Sequence, residues 1–182
     1  NYARIVLLLL SALLPVGFLA GCSDADNGDG GYLLKKEDIS VNRPDGGFEA
    51  LEKLSGEAKK YIAPLPIDYE PDEEAAGMFG LMMMTSGKHT DPENVAKAQA
   101  LKDATMGWFI AQNLKSKFVH LNGNYHSDFK KGIITYLNKY RPGLKIATVC
   151  SVRQDDIKKL GEENEGRADF YICVPTDMTM TY

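Results

Sequence analysis

Residues 118–150 read FVHLNGNYHSDFKKGIITYLNKYRPGLKIATVC, and this stretch decides the fold class. It begins with a short apolar run at residues 118–121, which is typical of a buried strand. A glycine turn follows, then apolar residues at helical spacing in residues 133–140, then a Pro-Gly break and a second apolar run at residues 144–150. Strand, helix and strand in this order predict a right-handed βαβ unit with two parallel strands.

A third apolar run, residues 168–174, extends the pattern. We therefore predict an α/β fold with a small, mostly parallel sheet and flanking helices. Three recognisable strands are few for this class, because a sheet covered by helices on both faces normally has more. The expected architecture is thus a truncated version of a larger α/β domain.

Several helices are predicted around these strands. Asp91 as N-cap and Pro92 in the first turn predict the start of a long helix. Ser127 or Asp128 is predicted to cap the helix that carries residues 133–140. Apolar spacing also predicts a helix in residues 48–61. An early proline and first-turn carboxylates predict another in residues 71–85, and a short helix is expected at residues 155–160.

The chain start is typical of a bacterial lipoprotein signal peptide. Residues 5–20 are almost entirely apolar, and Arg4 supplies a positive charge in front of them. Pro15 and Gly17 interrupt the run, which is short for a membrane span. The run ends with the small residues Ala20 and Gly21 directly before Cys22. The Cys22 thiol is a chemically suitable acceptor for a diacylglycerol, because a thiolate is a good nucleophile. An ordinary signal peptide with an incidental cysteine is the alternative.

This interpretation divides the chain into three parts. Residues 1–21 are the predicted signal peptide, residues 22–45 a lipidated cysteine and flexible acidic tether, and residues 46–182 the globular domain. The lipid on Cys22 would hold the protein to the bilayer, and we expect an outer-membrane lipoprotein. The acidic tract after Cys22 also resembles the export signals of surface-exposed lipoproteins, and a plain solvated tether is the alternative.

Composition limits the partners of the globular part. The formal net charge is −4, and no basic run or arginine-aromatic patch suggests a nucleic-acid partner. Besides Cys22, the cysteines are Cys150 and Cys173, each within an apolar run. Two buried, reduced thiols are the simpler interpretation, and a disulfide between them stays open because sequence gives no Cα separation.

Candidate ligand-binding residues follow the first predicted strand. In parallel α/β sheets, ligands bind at the carboxyl ends of strands, and here Asn122, His126 and Asp128 surround a glycine turn. Gly123 permits a positive φ and the close approach of a ligand. His126 has a lone pair suited to a metal or a proton transfer, and Asp128 is placed to orient it. The alternative is that Asp128 caps a helix while His126 fills space.

The long helix carries a second pair of candidates. Gln99 and Asp103 lie four residues apart beside its apolar face and are candidates to line a cleft. The plainer interpretation is a polar edge that pairs with Lys102 or with the backbone.

Three segments together resemble the ChaN-like haem-binding uptake lipoproteins. They are AQALKDATM at residues 98–106, VHLNGNYHSDF at residues 119–129 and RPGLKIATV at residues 141–149. The resemblance implies an α/β fold, a lipid anchor, haem as cofactor and a homodimer that forms the haem pocket. It also implies that a tyrosine binds the iron while a histidine and a lysine hold the propionates.

The implied ligands map onto few positions. His126 is the candidate histidine, and Tyr125 and Tyr69 are candidate iron ligands, since a phenolate suits ferric iron. The family is also similar to a wider group of metal-dependent hydrolase-like proteins with two Gly-x-x-His motifs. Residues 123–126 match the second motif, whereas the first is absent, as if only the C-terminal half of the family were present.

Three hypotheses follow for the function. The first is a non-catalytic, membrane-anchored protein that binds haem for iron acquisition. The second is a metal-dependent hydrolase centred on His126, although one imidazole supplies too few metal ligands. The third is a truncated remnant without activity of its own.

Overall fold

The computed structural model describes residues 4–9, 41, 46–71 and 91–179. Its helices and strands are β1 (Arg4–Leu9), α1 (Glu49–Glu52), α2 (Pro92–Asn113), β2 (Phe118–Asn122), α3 (Ile133–Tyr140), β3 (Lys145–Arg153) and β4 (Phe170–Val174). Short 3-10 helices lie at Ala58–Tyr61, Asn124–His126, Asp128–Lys130 and Glu162–Asn164. The chain divides into two compact units, one of residues 1–29 with 111–182 and one of residues 30–110.

The first unit contains a parallel sheet. Its four strands lie side by side in the order β2-β1-β3-β4, and every neighbouring pair is parallel. The three apolar runs predicted to be strands are β2, β3 and β4. The predicted fold class, α/β with a small parallel sheet, is therefore confirmed.

The remaining strand comes from an unexpected part of the chain. Apart from Arg4, β1 lies within the apolar run that we interpret as the core of a signal peptide, and it occupies an inner position of the sheet. A continuous apolar run suits a central strand of a parallel sheet as well as an export signal, so hydropathy alone does not separate the two uses. Residues 10–22 lie outside the described residues, and cleavage before Cys22 stays a prediction.

The two faces of the sheet differ in burial. On one face, Thr148, Cys150 and Val152 of β3 are almost completely buried, and Tyr171 and Cys173 of β4 pack beside them. The opposite face carries large apolar side chains that are about half exposed or more: Val119 (54%), Leu121 (60%), Phe170 (61%) and Ile172 (48%). Because parallel sheets are usually covered on both faces, this exposed face is unusual.

The predicted helix cap at Ser127 or Asp128 is wrong. α3 begins at Ile133, its N-cap is Gly132, and no side chain caps it. Phe129 and Lys130 adopt φ values of 56° and 59°, so the left-handed backbone interrupts any helix that starts earlier. The apolar side chains of α3 nevertheless point inward as predicted, with Ile133 and Leu137 fully buried.

The helix predicted at residues 155–160 is a loop. The Gln154 side chain organises it by donating to the carbonyl oxygens of Asp156 and Lys159 and accepting from the Gly161 N–H. These bonds hold backbone groups that a helix would have paired internally. Nearby, Cys150 and Cys173 are free thiols; Cys150 is buried as expected, whereas Cys173 is only partly buried.

The second unit contains α1 and most of α2. The predicted start of α2 is confirmed: the Asp91 Oδ1 accepts from the Glu93 N–H at 2.9 Å, and Pro92 is the first helical residue. The helix predicted over residues 48–61 forms only as α1 and the 3-10 helix Ala58–Tyr61. The helix predicted at residues 71–85 lies almost wholly outside the described residues.

No helix within the described ranges is long and apolar enough to cross a bilayer.

Candidate functional site

The turn after β2 brings four of the candidate residues into one short segment. Gly123 adopts an extended backbone with φ −68° and ψ 148°, so the positive φ that its glycine permits is not used. A Cβ at Gly123 would meet nothing within 4 Å, so the space beside the turn is open. The 3-10 helix Asn124–His126 follows, closed by the bond from the His126 N–H to the Gly123 carbonyl at 3.1 Å.

Asn122 holds this turn in place. Its Nδ2 donates to the Ser127 Oγ at 2.7 Å and to the Gly123 carbonyl at 2.8 Å. Because Ser127 is fully buried, the amide ties the turn to the protein interior. Asn122 therefore has a positioning role, and its predicted role as a ligand stays a prediction.

Tyr125 and His126 form the accessible part of the turn. Their ring centroids lie 5.5 Å apart with an interplanar angle of 79°, an edge-to-face contact. Tyr125 is 40% exposed, so its phenol lies on the surface at the carboxyl end of the sheet. A phenol and an imidazole thus stand side by side where parallel sheets usually bind ligands.

His120 belongs to the same neighbourhood and was not among the predicted site residues. Its Nε2 is buried and has no hydrogen-bond partner among the described residues, and the same is true of Asn122 Oδ1 and Asn124 Oδ1. Burial lowers the pKa of His120, and the nearby His126 lowers it further. The signal was present in the sequence, because strand alternation places His120 and Asn122 on one face of β2.

Asp128 faces Arg167 in the structure. One carboxylate oxygen accepts from the Arg167 Nε at 3.0 Å and from Nη2 at 2.6 Å, and the other lies 3.9 Å from the Cys150 Sγ. Burial raises the pKa of Asp128, and Arg167 offsets part of that rise. This ion pair links the turn to the segment before β4. The proposed orientation of His126 by Asp128 stays a prediction.

Gln99 and Asp103 lie on α2 in the other compact unit. Both are almost completely buried, with relative exposures of 5% and 4%. The two side chains therefore do not form an exposed polar surface, and their predicted role as ligands stays a prediction.

The same unit has a wide-open pocket among its described residues. It has a volume of about 420 Å³ and is lined by Glu52, Lys59, Ala63, Pro64, Leu65 and Pro66. Tyr69, the alternative iron ligand, also belongs to this unit and makes an edge-to-face contact with Phe48 at 5.5 Å between ring centroids. Within the described ranges, no group of three or more His, Cys, Asp or Glu side chains is placed to hold a metal ion.

Comparisons with known proteins were made with curated proteins, solved structures and family models. A search of curated proteins finds no match. A solved structure described as "Cofacial heme binding to ChaN of Campylobacter jejuni" is 16% identical, with a TM-score of 0.43 over 94% of this chain and 73% of that one. The family model described as "Haem-binding uptake, Tiki superfamily, ChaN" matches residues 39–137, which is more than half of the 182 residues. The resemblance found in the sequence is thereby confirmed, and the chain belongs to this haem-binding uptake family.

Proposed function

We propose that this protein binds haem without catalysing a reaction and thereby serves iron acquisition. Family membership supports haem as the ligand. The structural observation that carries the proposal is the exposed Tyr125 phenol beside His126 at the carboxyl end of β2. A phenolate is a hard anionic ligand, and when haem is bound its ferric iron is the matching acceptor.

The surroundings of Tyr125 fit a flat, largely apolar ligand with a polar edge. Leu121 and Phe129 are 60% and 55% exposed and flank the turn in sequence. His126 supplies an imidazole for a propionate, as the resemblance implies. Apolar contact area and a few polar groups are what a cofactor site requires.

Titration of the full chain with ferric haem tests the proposal. We expect a shifted Soret band that is lost or strongly weakened in Tyr125→Phe, because the variant removes only the phenol oxygen. Tyr69→Phe is the matched control and should leave the spectrum unchanged. If Tyr69→Phe abolishes the shifted band and Tyr125→Phe does not, the site lies in the other unit. If neither variant nor wild type shows a shifted band, the haem proposal is wrong.

His126→Ala separates haem binding from metal-dependent hydrolysis. On our proposal, the variant binds haem more weakly but keeps the position of the Soret band, because the iron ligand is retained. The band should also survive removal of zinc with a chelator. Zinc-dependent ester or peptide cleavage that disappears in His126→Ala would instead favour a hydrolase.

We also propose that Cys22 carries the lipid and that the mature protein is held at the outer membrane, exposed to the cell surface. Support comes from the apolar run, the small residues before Cys22 and the acidic tract behind it. Labelling of cells with a fatty-acid analogue should mark the wild-type protein and not Cys22→Ser. Failure to label either protein would remove the anchor from the proposal and leave haem binding unaffected.

A homodimer that encloses the haem is the form implied by the family resemblance, and we propose it for this chain. Sedimentation of the full chain with and without ferric haem tests it. A haem-dependent rise in mass to twice the monomer value supports the proposal, and a monomer at saturating haem contradicts it.

A further inference from the structure

β1 is held from both sides. Ile5 to Leu9 are in register with Phe118 to Asn122 of β2, and Arg4 to Leu9 are in register with Lys145 to Cys150 of β3. β2 and β3 have no pairing with each other, because β1 stands between them. The sheet is therefore continuous only while a strand occupies this position.

An empty position would leave two inner edges. Neighbouring strands are about 4.8 Å apart, so β2 and β3 would face each other across roughly twice that distance. Both edges would expose rows of unpaired N–H and C=O groups, which readily accept an extended chain. The gap has the width of one strand. A strand that fills it should run parallel to β2 and β3, as β1 does.

The residues that fill this position also belong to the predicted signal peptide. A segment cannot be a strand in the sheet while it is inserted in a membrane or removed by a peptidase. Cleavage before Cys22 would therefore take β1 away and leave β2, β3 and β4 without their centre. The lipoprotein processing proposed above would empty this position of Arg4–Leu9, and the inference below rests on that processing.

We propose that the gap between β2 and β3 is a strand-acceptor site. Arg4–Leu9 occupies it in the uncleaved chain, and after processing it binds an apolar extended segment of a different protein, not of a second copy, parallel to both neighbours. The chemistry of the occupant follows from the present one: residues 5–9 are IVLLL, without charge or proline. The strands on both sides are mainly apolar, so a charged segment would be poorly tolerated at the centre.

Strand exchange in the folded full chain tests the proposal, and the readout involves no haem. A protease site replaces residues 24–29, and the chain is cut only after it has folded. The released N-terminal piece should stay bound during gel filtration. A labelled synthetic peptide with the sequence of Arg4–Leu9 and a solubilising lysine tail should then exchange into the sheet, which raises its fluorescence anisotropy.

The control peptide carries Leu7→Pro. Leu7 is in register with His120 and Thr148, and proline removes its N–H from the ladder. We expect the control to bind roughly tenfold more weakly, since the lost ladder bond leaves a buried backbone group without its partner. Equal binding of the two peptides would overturn the proposal.

Other outcomes also decide the matter. The proposal fails if the cut chain loses its N-terminal piece and keeps its near-ultraviolet circular dichroism and melting midpoint. It also fails if cut chains pair with one another to the exclusion of the peptide, because a second copy would then be the occupant.

Two variants of the uncut chain give an independent measurement. Leu7→Pro should lower the urea midpoint because it removes a ladder N–H, whereas Gly56→Ala, whose added Cβ meets nothing within 4 Å, should not. Equal midpoints would show that β1 does not support the sheet.

Discussion

Asp169 connects three parts of the sheet unit through one carboxylate. Its Oδ2 accepts from the Thr148 N–H at 2.9 Å and from the Thr148 hydroxyl at 3.0 Å, while its Oδ1 accepts from the Lys130 Nζ at 2.6 Å. Thr148 is fully buried, so these bonds anchor the start of β4 to the interior of β3. Partial burial raises the pKa of Asp169, but the bonds from Lys130 and Thr148 outweigh it and the net pKa is lowered.

We expect Asp169→Asn to destabilise the protein by about 1 kcal/mol at pH 7, because the variant loses the charge that Lys130 pairs with. A lowered pKa in the folded state means that ionised Asp169 stabilises the fold above its unfolded pKa of 3.8. That contribution disappears as the pH falls through the lower, folded value. Urea unfolding should thus separate wild type from variant at pH 7 and progressively less below pH 4.

The exposed Asp177→Asn is the matched control for this experiment. It should change stability little at either pH. A difference between wild type and Asp169→Asn that persists unchanged in acid would contradict the electrostatic explanation.

The positions of the candidate site residues in the fold were predictable only where the cause is local, and their role as ligands stays a prediction. The glycine turn located Asn122, Tyr125 and His126, because strand ends and turns are visible in a few residues of sequence. The partner of Asp128 was not predictable, since Arg167 lies 39 residues further along the chain. The His120 Nε2 has no hydrogen-bond partner within the described ranges, and this depends on tertiary contacts that the sequence does not show.

Gly47 offers a prediction at the level of elements, because it introduces α1. Its φ is +81°, and an added Cβ would lie 2.6 Å from the Glu49 Oε2 and 3.2 Å from the Asn94 Oδ1. Glu49 can move into solvent, whereas Asn94 is buried in α2. Gly47→Ala should therefore cost roughly 1–3 kcal/mol through left-handed backbone strain and crowding.

Gly56→Ala is the matched control in the same unit, because its Cβ would meet nothing within 4 Å and its φ is not positive. It should leave the stability unchanged or slightly raised. Urea unfolding followed by the fluorescence of Trp108, the single tryptophan, compares the two variants. Equal midpoints would show that Gly47 is not constrained.

Element boundaries were predictable to different degrees. The adjacent residues Asp91 and Pro92 determine the start of α2, so the sequence predicted it correctly. The start of α3 was misjudged because tertiary contacts impose it. Phe129 donates its N–H to the Arg167 carbonyl at 2.9 Å, and this bond accompanies the left-handed turn. β1 was missed because a uniform apolar run has no period that distinguishes a central strand from an export signal.

The alkylation rate of the Cys150 thiol reports the unfolding of the whole sheet unit. Its side chain is fully buried on β3, and burial together with the charge of Asp128 raises its pKa to about 11. The thiolate is the reactive form, so Cys150 should resist alkylation at neutral pH until the sheet opens. Cys173, which is only partly buried, should react earlier.

Alkylation followed by peptide mass spectrometry distinguishes the two thiols without mutation. The rate at Cys150 should rise with urea in parallel with the loss of circular dichroism. Reaction of Cys150 as fast as Cys173 in the absence of denaturant would contradict the burial described above.

The open apolar face of the sheet affects how ligand binding has to be measured. This face is an exposed apolar surface to which flat aromatic compounds can adsorb; it consists of Val119, Leu121, Phe170 and Ile172. Environment-sensitive dyes should therefore fluoresce on the native protein. Dye-based melting curves will then start from a high baseline. A porphyrin that only adsorbs to this face would also change the porphyrin absorbance. Metal-free protoporphyrin therefore distinguishes adsorption from iron coordination. It should bind equally to wild type and to Tyr125→Phe.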